Sequence, residues 1–324
     1  MKTRQRLFQA FAATLAVSLA LSAGAQPFPT KNVTIIVPNP PGGSIDVMAR
    51  VFAQGLQQMW EGRSVIVEYK PGAGTMIGMD FVAKSEPDGH TIGMVVTPMV
   101  ILPALRKMPY DTLKDLAPVT MTGTSSIMIA GAPNMPASSL REVIALAKKN
   151  PGKMTYASPG AGSSMHLAGE LLKQQAGIDI LHVPFKGGAQ AYPEVMSGRV
   201  ELQLDPTFGI NRHVQAGKMK GIAVTSSKRD PQAPNVQTVA ETIPGFEVLS
   251  INGIVVAGKT PRALVDRLNA DFRKLLAQPD VAKRMQDFGI TVVGNSPDEF
   301  AKFIRDEIER WTKVAKAANI SLDR

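Results

Sequence analysis

The sequence predicts an α/β fold with a mainly parallel sheet, divided between two domains. β-like apolar runs alternate with longer segments of helical period, which is the pattern of such folds. Three strand-to-helix junctions are rich in glycine. Removing a 25-residue leader from 324 residues leaves 299 (324 − 25), enough for two ordinary cores.

The leader comes first. Lys2, Arg4 and Arg6 precede a largely apolar run from Leu7 to Leu21 and then Ala23-Gly24-Ala25. That is the pattern of a secretory signal peptide, with cleavage expected after Ala25. The run is too short and too rich in Ala and Ser for a good anchor, and no later stretch approaches roughly 18 uninterrupted apolar residues. There is no cysteine in the chain, so neither a lipid-modified N-terminus nor a disulfide is expected. The formal charge of +9 includes three leader cations, leaving +6 (9 − 3) on the mature chain. Such a balance suits anionic ligands. The cations are scattered and aromatic residues sparse, which does not suit nucleic acid.

Val33 to Val37 reads as the first strand, ending in the turn cluster Pro38-Asn39-Pro40-Pro41-Gly42-Gly43. Asp46 to Met59 follows with Val47, Val51 and Leu56 at helical spacing. The unit repeats with a strand at Val65 to Glu68, the loop Pro71-Gly72-Ala73-Gly74 and a helix at Met76 to Lys84. Another strand is expected at Thr91 to Val96. After Pro118 come a strand around Ile127 to Ala130, a helix from Ser138 to Lys149 opened by the capping box Ser139-x-x-Glu142, and a strand near Met154 to Ala157. The segment Ser158-Pro159-Gly160-Ala161-Gly162-Ser163-Ser164 then leads into a helix with Leu167, Leu171 and Leu172 on one face. Strands fit at Ile180 to Val183, Val200 to Leu204 and Gly221 to Thr225, and from Pro261 onward the chain reads as mostly helical. No low-complexity linker is visible, so the domains should be joined by short β-like crossings.

A strand feeding a helix through glycines exposes backbone N–H groups at the positive end of the helix dipole, where anions bind. Ser44, Thr75, Ser158, Ser163 and Ser164 could add hydroxyl donors. Each loop taken alone could equally be a tight turn, but three of one kind favour anion capture. Gly72, Gly74 and Gly78 are one residue too widely spaced for a dinucleotide fingerprint, and there is no phosphate loop of the Walker type. His90, His166, His182 and His213 lie far apart, without a zinc motif or a G-x-S-x-G elbow. No cofactor, metal or catalytic residue is therefore expected, although an exported α/β hydrolase remains the alternative among enzymes. His166 lies in the first turn after the serine-glycine loop, where it could face a ligand. Asp46, just inside a helix start, reads as a dipole-complementing cap. Asp205 follows the strand ending at Leu204 and could sit at the ligand edge of the sheet, where it would suit an ammonium or a water bridge.

Together these residues resemble the tripartite tricarboxylate transporter substrate-binding proteins, the Bug family. The resemblance is carried by Ile36-Val37-Pro38 with Pro41-Gly42-Gly43, Pro71-Gly72-Ala73-Gly74, Pro87-Asp88-Gly89-His90, Pro109-Tyr110-Asp111, Tyr156-Ala157-Ser158-Pro159-Gly160 and His182-Val183-Pro184-Phe185-Lys186-Gly187-Gly188. It implies a periplasmic solute-binding protein of the type II, two-lobed kind, with two crossing strands and a ligand clamped between the lobes. The first lobe would comprise 26–123 plus 251–324, and the second 124–250. Its ligand would be a small carboxylate, a di- or tricarboxylate or an aromatic acid, and its partners the permease subunits of a tripartite transporter. A receptor reporting to a membrane sensor is the other role this architecture allows.

The resulting candidate ligand residues are Pro41, Gly42, Gly43, Ser44, Gly72, Ala73, Gly74, Thr75, Thr97, Ser158, Gly160, Ala161, Gly162, Ser163, His166 and Asp205. Thr75 replaces the glycine usual at the fourth loop position in that family, and Phe185 its common tyrosine. Met99, with Met76, is expected to give the cleft a more apolar wall.

Overall fold

The computed structural model describes residues 28–42 and 44–322. The leader and its cleavage site lie outside them, as does Gly43. Strands β1 (Val33–Val37), β2 (Val65–Tyr69) and β3 (Thr91–Val96) are parallel, with β1 between the other two. β1 is central and almost wholly apolar because both its faces are covered. Val33, Ile35 and Val37 enter one core with helix α1 (Ser44–Met59), while Ile36 enters the other with helices α2 (Met76–Ala83) and α3 (Pro98–Leu105). On α1 the residues Ile45, Met48, Ala49, Phe52 and Leu56 are buried, the stripe expected of a helix lying on a sheet. Gly55 lets helix α8 (Arg262–Leu276) come close, since a Cβ there would sit 2.2 Å from Leu275 Cδ1.

The second lobe repeats the scheme. Strands β5 (Thr155–Ser158), β6 (Leu181–Pro184) and β7 (Leu202–Pro206) are parallel, with β5 in the middle. Helix α4 (Leu140–Lys149) starts on the expected capping box of Ser139 and Glu142. It is followed by α5 (Ser164–Ala176), α6 (Gly188–Met196), α7 (Thr207–Gln215) and strand β8 (Lys220–Val224).

Two long antiparallel strands join the halves, so the sheet is mixed where the sequence suggested a mainly parallel one. β4 runs from Leu116 to Gly131, and β9 from Leu249 to Ala257. Up to Ser126, β4 pairs with β9, which in turn pairs with β3. From Ile127 onward β4 pairs instead with β7 and β8. The change of partners at Ser126 and Ile127 marks the crossing between lobes. The result is a two-lobed α/β architecture with two crossing strands.

The remaining elements, α9 (Pro279–Asp287), the two-residue strand β10 (Thr291–Val292) and α10 (Pro297–Ala317), return to the first lobe. α10 begins on a second capping box, Ser296 with Glu299, and carries the buried Phe300, Ile304, Trp311 and Val314 across α3, β4 and α5. Phe300 fits because Gly253 of β9 has no side chain, a Cβ there lying 2.5 Å from the ring. Truncating such a ring costs about 3–5 kcal/mol.

Candidate ligand site

The parallel strands of each lobe end at one sheet edge. Val37 stands beside Tyr69 and Ile36 beside Gly93, so the turns after β1, β2 and β3 emerge together. In the second lobe Ser158 stands beside Pro184 and Ala157 beside Gln203, which aligns the ends of β5, β6 and β7. Each described candidate residue occupies such a strand end, the turn after it or the first turn of the following helix. Ligands of open α/β sheets gather at these carboxyl ends.

In the first turn, Gly42 adopts φ 96° and its N–H donates to Asp46 Oδ2 at 2.8 Å. Asp46 also accepts from Tyr69 Oη (2.6 Å) and Arg50 Nε (2.8 Å). Tyr69's hydroxyl and the Gly42 amide hold its carboxyl below the usual range against the cost of burial. Asp46 therefore fastens the turn that precedes its own helix. Pro41 is exposed, and Ser44 opens α1.

The second turn is the more strained. Gly72, Ala73, Gly74 and Thr75 all have positive φ, at 128°, 48°, 65° and 88°. Two of the four are not glycine, and a β-branched residue at positive φ is held there only by its surroundings. Thr75 is 4% exposed, and its Oγ1 has no hydrogen-bond partner among the described residues. It stands at the N-cap of α2 without capping the helix through its side chain. Backbone strain of this kind concentrates at functional sites, and a buried hydroxyl left unbonded beside it costs further free energy. Thr97, after β3, is also buried, but its Oγ1 accepts the Ile251 N–H at 2.9 Å and so ties β3 to the crossing strand.

The third turn is bonded inward. Ser158 Oγ shares a hydrogen bond of 2.7 Å with His182 Nε2 and receives the Gly160 N–H at 3.2 Å. Ser163 Oγ donates to Gly160 O (2.7 Å) and caps α5 by accepting the His166 N–H (3.1 Å). The Gly162 N–H donates to His166 Nδ1 at 3.1 Å. An N–H can donate there only if that nitrogen is unprotonated. Burial agrees, pulling His166 and His182 down to about 4. The two rings stack at 3.9 Å. His166 thus braces the turn from beneath, and the Gly162 amide faces it. Ala161 is exposed at the tip.

Asp205, at the end of β7, is 5% exposed, and desolvation pushes its carboxyl up to about 6 even though Tyr192 Oη donates to it at 2.6 Å. The N-terminus of α6 presses on it, since a Cβ on Gly188 would lie 2.2 Å from Oδ2. Next to it the wholly buried Gln203 donates to Gly188 O (2.8 Å), and its own Oε1 has no partner among the described residues.

Loops from the two lobes approach one face of α3. A Cβ on Gly74 would lie 3.2 Å from Leu102 Cδ1, and one on Gly162 would lie 3.4 Å from Leu105 Cδ1. Leu102 and Leu105 are one helical turn apart on the same side.

A family model described as "Tripartite tricarboxylate transporter family receptor" matches residues 48–320. This chain belongs to that family. Protein BugT of Bordetella pertussis is 33% identical over 316 residues, covering 96% of either chain. Among solved structures, R. palustris Rpa4515 with adipate is 31% identical with a TM-score of 0.78, over 91% of this chain and 99% of that one. MatC (Rpa3494) from Rhodopseudomonas palustris with bound malate is 29% identical with a TM-score of 0.73, over 89% and 99%.

Within this family member the sequence reading missed α3, Tyr192 and Gln203 as parts of the same edge. Two prolines hid α3, although Pro98 sits at its first turn, where proline is tolerated. The expected apolar wall is not formed by Met99, which is 1% exposed and packs in the core, while Met76 opens α2 beside Thr75.

Proposed function

We propose that this chain is an exported solute receptor that closes two lobes, 26–123 with 251–324 and 124–250, around a small carboxylate. It then presents the closed form to the membrane subunits of a tripartite tricarboxylate transporter. The leader would direct it to the periplasm and be removed after Ala25. The observation that carries this reading is the approach of the Gly74 and Gly162 turns to one face of α3 from opposite lobes. A ligand lodged there would touch both lobes and so favour closure.

The chemistry suits an acid. Thr75 supplies a hydroxyl without a partner among the described residues, α2 begins behind it without a side-chain cap, and the third turn, bonded within its own lobe, would form the opposing wall. Adipate in Rpa4515 and malate in MatC make aliphatic diacids the first class to try. No covalent step is required. The best hydrolase pair would be Ser158 and His182, yet that imidazole is depressed to about 4 and no carboxylate is bonded to it among the described residues. It would be a weak general base.

A thermal-shift screen against carboxylates including adipate and malate tests the proposal. A ligand at a hundred times its Kd should stabilise the fold by about 2.7 kcal/mol. A flat response across a broad panel of carboxylates would contradict it.

A further inference from the structure

The C-terminal segment ends on the third turn. After α10 the chain bends through Asn319, at φ 52°, and runs to Leu322, whose N–H donates to Leu105 O at 2.9 Å. Leu105 is the last residue of α3, so this bond satisfies one of the carbonyls that a helix end leaves open. The side chain of Leu322 lies over Gly162, where a Cβ would come within 2.8 Å of Cδ1. Gly162 itself is buried, at φ 77°, with its amide engaged by His166. Leu322 and Ile320 both pack against the core cluster that runs through α3 and α10 into the second lobe.

We propose that Leu322 is a positioning residue. Its main chain is tied to the first lobe while its side chain presses the Gly160–Ser163 turn of the second against His166. The turn is thus held from both sides, by the imidazole beneath and the leucine above. Opening the lobes would part Leu322 from either Leu105 or Gly162, so the segment acts as a strap across the seam. What the turn is for follows the receptor reading above. Its seating is a property of the ligand-free protein and is tested without ligand.

The experiment is hydrogen exchange by mass spectrometry on the ligand-free mature protein, comparing the natural chain with Leu322→Ala, Leu322→Met and a truncation after Asn319. The expected result is several-fold faster exchange in the peptide covering 158–166 for Leu322→Ala and for the truncation. Protection should return in Leu322→Met, and α8 should be unchanged in all three. Unaltered exchange over 158–166 in Leu322→Ala would overturn the proposal. So would faster exchange spread evenly over both lobes, because Leu322 would then be an ordinary fold contact. These outcomes do not depend on the carboxylate screen, so either idea can fail while the other stands.

Discussion

The Gly72–Thr75 and Ser158–Ser163 turns end parallel strands in the same way and are built to opposite plans. The second has its groups engaged internally: Ser158, Ser163 and the Gly162 amide are all bonded within the lobe, against two neutral stacked histidines. In the first, four successive residues have positive φ and the buried hydroxyl of Thr75 has no partner among the described residues. One turn is bonded within its own lobe, and the other carries strain and a buried hydroxyl without a partner among the described residues. A shared glycine-rich pattern therefore does not imply a shared role.

The largest expected effect comes from removing the brace of the wall. His166→Ala should destabilise the protein by on the order of 3 kcal/mol, combining a lost ring with a buried N–H left unsatisfied, and calorimetry would show it. An unchanged melt would mean that the third turn holds itself.

Acid titration separates opposing groups inside the second lobe. His166 and His182 are held near 4, against about 6.5 in an unfolded chain, so the stability they lend is present above pH 6.5 and lost as pH falls toward 4. Asp205 is raised to about 6, so its contribution is fullest below about pH 4 and is lost as pH rises through 6. The two trends oppose each other between pH 4 and 6.5. Asp205→Asn should therefore make the melting temperature fall more steeply with acid over that window, and His166→Ala should flatten it. Parallel curves for all three proteins would refute this assignment.

Thr75→Gly should raise stability by about 1 kcal/mol through relief of the positive φ, while weakening the response to a carboxylate. Thr75→Ser keeps the hydroxyl and should keep the response. If both respond equally, the hydroxyl does not serve the ligand. Smallest is Asp46→Ala, which frees the Gly42 amide at a partly exposed turn. It should cost about 1 kcal/mol and leave the third turn unaltered, as amide exchange would show.

Much of the fold was legible in the sequence because apolar period and turn chemistry agree. β1 and β3 have the bounds expected, and the Ser139 box opens α4 as read. β4 was read only as Ile127 to Ala130. Its first part contains Pro118, Gly123 and a run of Thr and Ser that reads as loop, and its pairing with β9 is irregular near Pro118 and Gly123. Only the distant β9 makes it a strand, an instance of tertiary context overriding local preference. That the candidate residues stand at strand ends was legible for a similar reason, since glycine-rich strand ends are local. What each one bonds was not. That His166 would face the Gly162 amide, or Leu322 lie over it, depends on elements brought together by the fold.

A crystal structure of the protein with a carboxylate that raises its melting temperature would show whether the acid is held between these unlike turns from the two lobes. A carboxylate oxygen should lie within hydrogen-bond distance of Thr75 Oγ1, with the Ser158–Ser163 turn closed over the same ligand. A carboxylate seated elsewhere, with Thr75 Oγ1 still unbonded, would contradict it.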